Sequence, residues 1–391
     1  MTRFFNRAVR RTAAGAALAL AATGTALVAA PATAASASLA YNCTSPQIPG
    51  GPYVFAAVID TNAPATLGSG LTAALTTTAT VIVPANLADQ FRAGGVTTVD
   101  GSAAATGTVD GVHRQTTLTI PKTAVTPTVG TTTTVVGTGP SGSITGGAAG
   151  TSILLGAGDF TAAITGYNSV GVAVGPAYNF TCTLQAGQNL LVDTVSIVKA
   201  PTTVALTVLE PPVEYGEQAT VTAIVASTAS NKKPDGTVEF TIGGTTIKAE
   251  VKGGKATAIF PPAVDLGMQQ VTAAFTPTDP NLAPSTATKN FRVVRDQTTT
   301  EATAVYRAAR DRLVAKAKVF AEHDTEVTGS VRFVLKRNGV KIRTATKLLN
   351  DFDKAKKVFR NVDRHGRYTV VAHYLGSDTL KRSVDRARLR I

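Results

Sequence analysis

Basic residues crowd the last quarter of the chain at intervals that suit binding rather than catalysis: Arg307, Arg310, Arg312, Lys316, Lys318, Lys336, Arg337, Lys341, Arg343, Lys354, Lys356, Lys357, Arg386, Arg388 and Arg390. Many lie two residues apart, and on a β-strand that interval places side chains on one face of a sheet. Residues 299–391 hold 22 Lys and Arg against 10 Asp and Glu, whereas residues 201–298 hold 8 against 9 and residues 36–200 hold 4 against 6. A positive field so concentrated suits a polyanion held through charge. The alternative is a solvated surface, but the near-neutral segment before it must also stay soluble, so solubility does not require this charge. The expected partner is an anionic cell-wall polymer, an acidic polysaccharide or a lipid surface. Sequence-specific nucleic-acid binding is not expected, because no recognition helix or stacking aromatic set accompanies the charges. Nucleic acid would be held through phosphates alone.

Catalytic arrangements are harder to find. His113, His323, His365 and His373 have no cysteine or second histidine at ligand spacing. The run Gly139-Pro140-Ser141-Gly142-Ser143 misses a nucleophile elbow at its last residue and lacks a strand-turn-helix setting. Gly137, Gly139 and Gly142 have dinucleotide-loop spacing, but Pro140 sits inside it and β-type sequence follows, with no helix to receive a pyrophosphate. Asp279-Pro280-Asn281 and Asp351-Phe352-Asp353 do not continue as calcium loops. Asp60, Asp89, Asp100, Asp110 and Asp159 are scattered single acids; a secreted hydrolase with its site among them is the remaining enzymatic alternative. No cofactor, no metal site and no enzymatic activity are expected.

The elements that must position these residues read as strands. Arg3, Arg7, Arg10 and Arg11, an apolar run from Ala13 to Ala30 and a small-residue cleavage pattern mark residues 1–34 as a secretory signal peptide, cut after Ala34 or Ala37. The apolar residues that follow a twin-arginine pair are missing after Arg11, so general secretion is expected. No later run is long enough to span a bilayer, and the terminal RARLRI carries no sorting motif, so any attachment to a surface is expected to be non-covalent. Cys43 and Cys182, alone in an exported chain, most simply pair with each other; two buried free thiols are the alternative.

Residues 38–198 show short alternating runs such as Tyr53 to Val58 and Thr78 to Val83, separated by turn residues, which predicts an all-β sandwich or barrel. Only Asn86 to Arg92 looks helical. Residues 201–295 hold seven short strands with turns every 8–12 residues, the pattern of an immunoglobulin-like sandwich. Residues 299–391 repeat it. Gly236, Val238 and Phe240 align with Gly329, Val331 and Phe333, while Phe260, Val271, Ala273 and Phe275 align with Phe359, Val370, Ala372 and Tyr374. Asn338-Gly339 predicts a two-residue hairpin turn, and residues 348–359, although amphipathic, are placed on a hairpin by the alignment.

YGEQATVTAIV, PDGTVEFTIGG, GKATAIF and LGMQQVTAAF in residues 201–294 resemble the bacterial Ig-like repeat found in tandem on secreted and cell-surface proteins. The last 93 residues follow its frame more loosely, with most surface positions changed. LAYNCTSP, LTIPKTAV and YNFTCTLQAGQN resemble a secreted actinobacterial domain of unknown function in which two cysteines bracket the fold, which implies a disulfide and an extracellular setting and no activity. The expectation is an all-β chain of three consecutive β-sandwich domains, the last two immunoglobulin-like, exported and non-catalytic. It would act as an adhesin-like interaction protein with its basic module on an anionic surface. An inert stalk or coat component is the alternative.

Overall fold

A computed structural model describes residues 38–391 apart from 210–211, 230–232, 263–264 and 364. The expected signal peptide and both of its cleavage sites lie outside the described residues. The first unit contains β1 (Ser38–Ser45), β2 (Ile48–Asp60), β3 (Thr66–Gly68), β4 (Thr72–Val83), α1 (Ala85–Ala93), β5 (Thr98–Val109), β6 (Val112–Ala124), β7 (Thr133–Thr145), β8 (Ser152–Tyr167), β9 (Tyr178–Leu184) and β10 (Leu191–Val198). All ten strands share one sheet, in the order β3-β10-β8-β5-β6-β7-β4-β2-β1-β9, and β9 pairs back onto β8. Eight strands, from β8 round to β9, thus close antiparallel on themselves, and β10 with β3 extends the wall beyond them. Between the sandwich and the barrel that the alternation allowed, the two facing layers here are opposite walls of one closed sheet.

Alternation explains the closure. Tyr53, Phe55 and Ala57 of β2, Leu39 and Tyr41 of β1 and Phe180 of β9 point inward and are buried, while their neighbours face water. The single helix, where residues 86–92 were expected to turn, plugs one end. It buries Leu87, Ala88 and Phe91, and the Phe91 ring meets Tyr178 edge-on at 5.1 Å. Arg92 anchors the plug through Asp89 and the carbonyls of Thr126 (2.6 Å) and Thr131 (3.2 Å). Hydrogen bonds from Arg92 and then from the Gly130 amide hold the Asp89 carboxyl below its usual pKa. Five inward positions are alanine (Ala57, Ala79, Ala103, Ala105 and Ala162), and the middle of the barrel keeps a cavity of about 100 Å³. Left empty, a void of that size costs roughly 2 kcal/mol.

The second unit contains β11 (Thr202–Val208), β12 (Val213–Glu214), β13 (Gln218–Ser227), β14 (Gly236–Ile242), β15 (Thr245–Val251), β16 (Lys255–Pro262), β17 (Gly267–Pro277) and β18 (Ser285–Val294). The third contains β19 (Thr298–Arg307), β20 (Arg312–Ala321), β21 (Ser330–Arg337), β22 (Val340–Leu348), β23 (Lys354–Arg360), β24 (Arg367–Tyr374) and β25 (Ser383–Arg390). Each is a two-sheet sandwich: β11-β13-β16 over β12-β18-β17-β14-β15, and β19-β20-β23 over β22-β21-β24-β25. The register bears out the repeat. Val238, Phe240 and Ile242 face Phe275, Ala273 and Val271, and Val331, Phe333 and Leu335 face Tyr374, Ala372 and Val370. Asn338 and Gly339, both with positive φ (46° and 86°), make the expected tight turn between β21 and β22. The hairpin expected over residues 348–359 does not form. β22 and β23 belong to opposite sheets, so this connection crosses the sandwich, as the β15-to-β16 connection does in the sister module.

Cys43 and Cys182 form a disulfide directly across the β1–β9 pair, one of the pairings that closes the barrel. Their sequence separation of 139 residues makes the cross-link worth up to about 4–5 kcal/mol in loop entropy. Replacing both cysteines by alanine should lower the stability of this unit by several kcal/mol and leave the two sandwiches unchanged. Urea unfolding of the full chain, followed by signals from each unit, checks this.

Candidate anion-binding site

On the outer face of the β19-β20-β23 sheet, the register places like charges directly opposite one another. Arg307 faces Arg312, which faces Arg360; Lys316 faces Lys356; Lys318 faces Lys354. In the sister module the matching face carries threonine and isoleucine. Thr222 faces Thr257 with their hydroxyls 3.3 Å apart, and Ile224 faces Lys255. Directly opposed like charges on neighbouring strands are destabilising, so these rungs work against the fold that carries them.

The other sheet is basic as well. Arg332 faces His373, Lys336 faces Thr369, Arg367 faces Arg390, and Arg386 and Arg388 lie opposite Val371 and Thr369. His373 registers the field: its pKa is lowered first by partial burial, then by Arg332, Arg386 and Lys336. Among the module's acids, only Glu301 takes an outward strand position, opposite Lys318. Asp385 turns inward and accepts the Ala302 N–H at 2.8 Å, and the rest lie in connections between strands.

The two-residue spacing suggested one shared face; the sandwich instead divides the candidates. Arg307, Arg312, Lys316, Lys318, Lys354 and Lys356 share one face, and Lys336, Lys341, Arg386, Arg388 and Arg390 lie on the opposite sheet. Arg310 sits in a single helical turn beside the first face. Arg337 is tied to Asp363 and to the His365 carbonyl (2.8 Å), and Arg343 to the carbonyls of Arg360 and Asn361, so both are held by the module itself. Lys357 has the inward parity of Ala355 and Phe359. Arg332, Arg360 and Arg367 complete the faces without having been singled out by spacing, because none lies two residues from another Lys or Arg and each joins its neighbours only through strand pairing.

Below these faces, the second and third units meet at a polar cluster. Asp296, fully buried in the linker, accepts the His323 main-chain N–H (3.2 Å) and lies 2.8 Å from His323 Nδ1. Glu214 accepts the Gln297 N–H (3.1 Å) and Lys381 Nζ (2.7 Å). Glu214, Asp296 and His323 offer ligand atoms within 4.8 Å of one another, yet the carboxylate oxygens are already engaged by protein donors. Gly216 permits the approach: its φ is +87°, and a Cβ there would collide with the Thr325 hydroxyl. Asp296 takes the place that Ala200 holds at the preceding junction. Asp296 brackets the Thr379–Lys381 turn as Ala200 brackets Asn281–Ala283, through paired main-chain bonds of 2.7–2.9 Å. The scattered acids of the first unit are likewise bonded locally: Asp100 to the Tyr167 hydroxyl (3.0 Å), Asp110 to the Leu154 N–H (2.8 Å), Asp159 to the Leu184 N–H (2.8 Å) and Asp60 to the Asn62 N–H (2.7 Å).

Two stacked sandwiches of one frame behind a disulfide-closed β-unit define a tandem Ig-like protein. Residues 206–294 match the bacterial Ig-like domain (group 3), and residues 40–192 match a family of unknown function (DUF6801). The bacterial Ig-like match thus covers the second unit and is preceded by the DUF6801 match over the first. No curated protein matches the chain. Among solved structures, it is similar to a putative membrane anchored protein from Corynebacterium diphtheriae (11% identity, 92% of this chain and 97% of that one, TM-score 0.28). It is also similar to a tetra-tandem repeat in the extending region of a large adhesion protein (14%, 85% and 73%, TM-score 0.30), and to the adhesin InvE of Yersinia pseudotuberculosis (12%, 49% and 59%, TM-score 0.23).

Two outcomes follow. Lys316→Thr with Lys356→Thr, which restores the sister module's rung, should stabilise the third unit by about 0.5 kcal/mol at low salt and by less as salt rises; thermal melting across a salt series reads this. The hydrogen bond that His323 donates to Asp296 raises the His323 pKa above its ordinary 6.5, with Glu217 and Glu214 adding to it against partial burial. The junction's stabilisation is thus fully present below that ordinary value and is lost as pH rises through the raised one. Asp296→Asn should flatten this pH dependence of melting.

Proposed function

We propose that the chain is an extracellular, non-catalytic interaction protein held on an anionic polymer surface by its last module. The observation that carries this reading is the set of like-charge rungs. A solvated surface gains nothing from placing Lys316 against Lys356 or Arg312 against Arg360, whereas a polyanion laid across the rungs would neutralise them together. The disulfide and the bacterial Ig-like domain support an extracellular setting. Among the described residues no helix is long and apolar enough to cross a membrane, and the charge offers attachment without one. The inert-stalk reading draws on a different observation, the bonded junctions at Ala200 and Asp296, which would suit a spacer of fixed geometry.

Co-sedimentation of the full-length protein with isolated Gram-positive cell walls separates the two. Binding at low salt that falls steadily as salt rises, and that drops about tenfold in the Lys316→Thr/Lys356→Thr variant, supports the anchor. No binding at low salt leaves the charge as solvated surface and favours the stalk.

A further inference from the structure

The barrel of the first unit has an interior that its own side chains do not fill. An eight-stranded barrel is closed by inward side chains when these are large, and holds a small molecule when they are not. Here alanine recurs on four walls, at Ala57, Ala79, Ala103, Ala105 and Ala162, and the cavity of about 100 Å³ is lined almost wholly by carbon. Three of the polar side chains on its wall are occupied by the protein. The Tyr41 hydroxyl donates to the Gly158 carbonyl at 3.2 Å, the Thr106 hydroxyl donates to the Asp159 carbonyl at 2.7 Å, and the Thr133 hydroxyl accepts the Thr126 N–H at 3.1 Å. Such a space stays dry and accepts an apolar group.

At the end away from α1, the chamber runs into a second cavity of about 70 Å³ that shares Ile59, Thr77, Ala105 and Thr106 with it. The chemistry changes there: Arg114, Thr108, Thr116 and Ser141 line the wall. Ser141 has a buried hydroxyl oxygen with no hydrogen-bond partner. Arg114 is exposed and takes part in none of the ion pairs among the described residues. The ladder pairing of the wall is sparse here. β6 and β7 share a single residue pair, Thr119 with Thr138, whereas β5 and β6 pair along their whole length. Arg114 and Ser141 stand on either side of this seam, and one Arg114 nitrogen lies 3.7 Å from where a Cβ of Gly142 would be. The unit therefore presents a dry apolar chamber, a polar mouth with one uncompensated cation and an unpartnered hydroxyl, and a loosely paired seam between them and solvent.

We propose that this barrel binds a short-chain carboxylate of about six carbons, with its alkyl chain in the chamber and its carboxylate at Arg114 and Ser141. Voids of about 100 and 70 Å³ set this length, because a dry cavity of about 150 Å³ takes a benzene-sized group. The test is titration of the full-length, disulfide-bonded protein with hexanoate and with 1-hexanol, followed by calorimetry and native mass spectrometry. Saturable uptake of one hexanoate per chain is expected. Arg114→Gln, on an exposed residue outside the ion pairs, should weaken hexanoate about tenfold and leave hexanol unchanged. Ala103→Phe, which fills the chamber, should abolish both, with folding checked by circular dichroism; if that variant does not fold, Arg114→Gln decides. Absence of saturable hexanoate binding, or an unchanged hexanoate affinity in Arg114→Gln, overturns the proposal. So does hexanoate binding that survives in folded Ala103→Phe but disappears in Lys316→Thr/Lys356→Thr, which would place the carboxylate on the basic module.

Discussion

Because successive side chains of a strand point to opposite sides of its sheet, a sandwich can keep its core and replace its surface without conflict. The two Ig-like modules depend on this separation. Val238, Phe240 and Ala273 become Val331, Phe333 and Ala372 in the same register, so the packing is preserved. On the outward parity of the same strands, Thr222 and Thr257 become Lys316 and Lys356. The charge difference between the modules is therefore a property of one parity class. It opposes stability locally, and the polyanion proposed above would relieve that opposition.

The junctions obey a second constraint. A buried carboxylate must be paired and hydrogen-bonded, and Asp296 can occupy a position held elsewhere by Ala200 only because His323 presents both a ring nitrogen and a main-chain N–H to it. Glu214 and Lys381 extend the arrangement across the two units. Were the last module anchored as proposed, force carried from it toward the barrel would pass through this junction. At the far end the barrel has its own solution to the unpaired edges of a sheet, which is closure, with the Cys43–Cys182 bond across one closing pair.

The legible parts of the sequence were those governed by period two and by turn chemistry. The repeat, the Asn338-Gly339 turn, the helix near Asn86 to Arg92 and the pairing of Cys43 with Cys182 all follow from local pattern or simple counting. What depends on distant pairing was not legible. Arg360 and Arg332 join the basic faces through cross-strand register. Glu214, Asp296 and His323 share a cluster although 27 residues or more separate them in sequence. The single basic face became two because alternation along one strand does not reveal to which sheet that strand belongs. The closure of the first unit was illegible for the same reason: β8 pairs with β9 and β10 along different parts of its length.

His373 is the most direct reporter of an anion bound to the last module, because it sits among the charges of one basic face and its pKa is lowered by partial burial and then by Arg332, Arg386 and Lys336. Its titration followed by NMR in the full-length protein, with and without a soluble teichoic acid, tests whether a polyanion occupies that face. Bound anion next to those cations would relieve their repulsion of the imidazolium, so the pKa should move upward on addition and return as salt is raised. A His373 titration that is unchanged at saturating polyanion and low salt would contradict it.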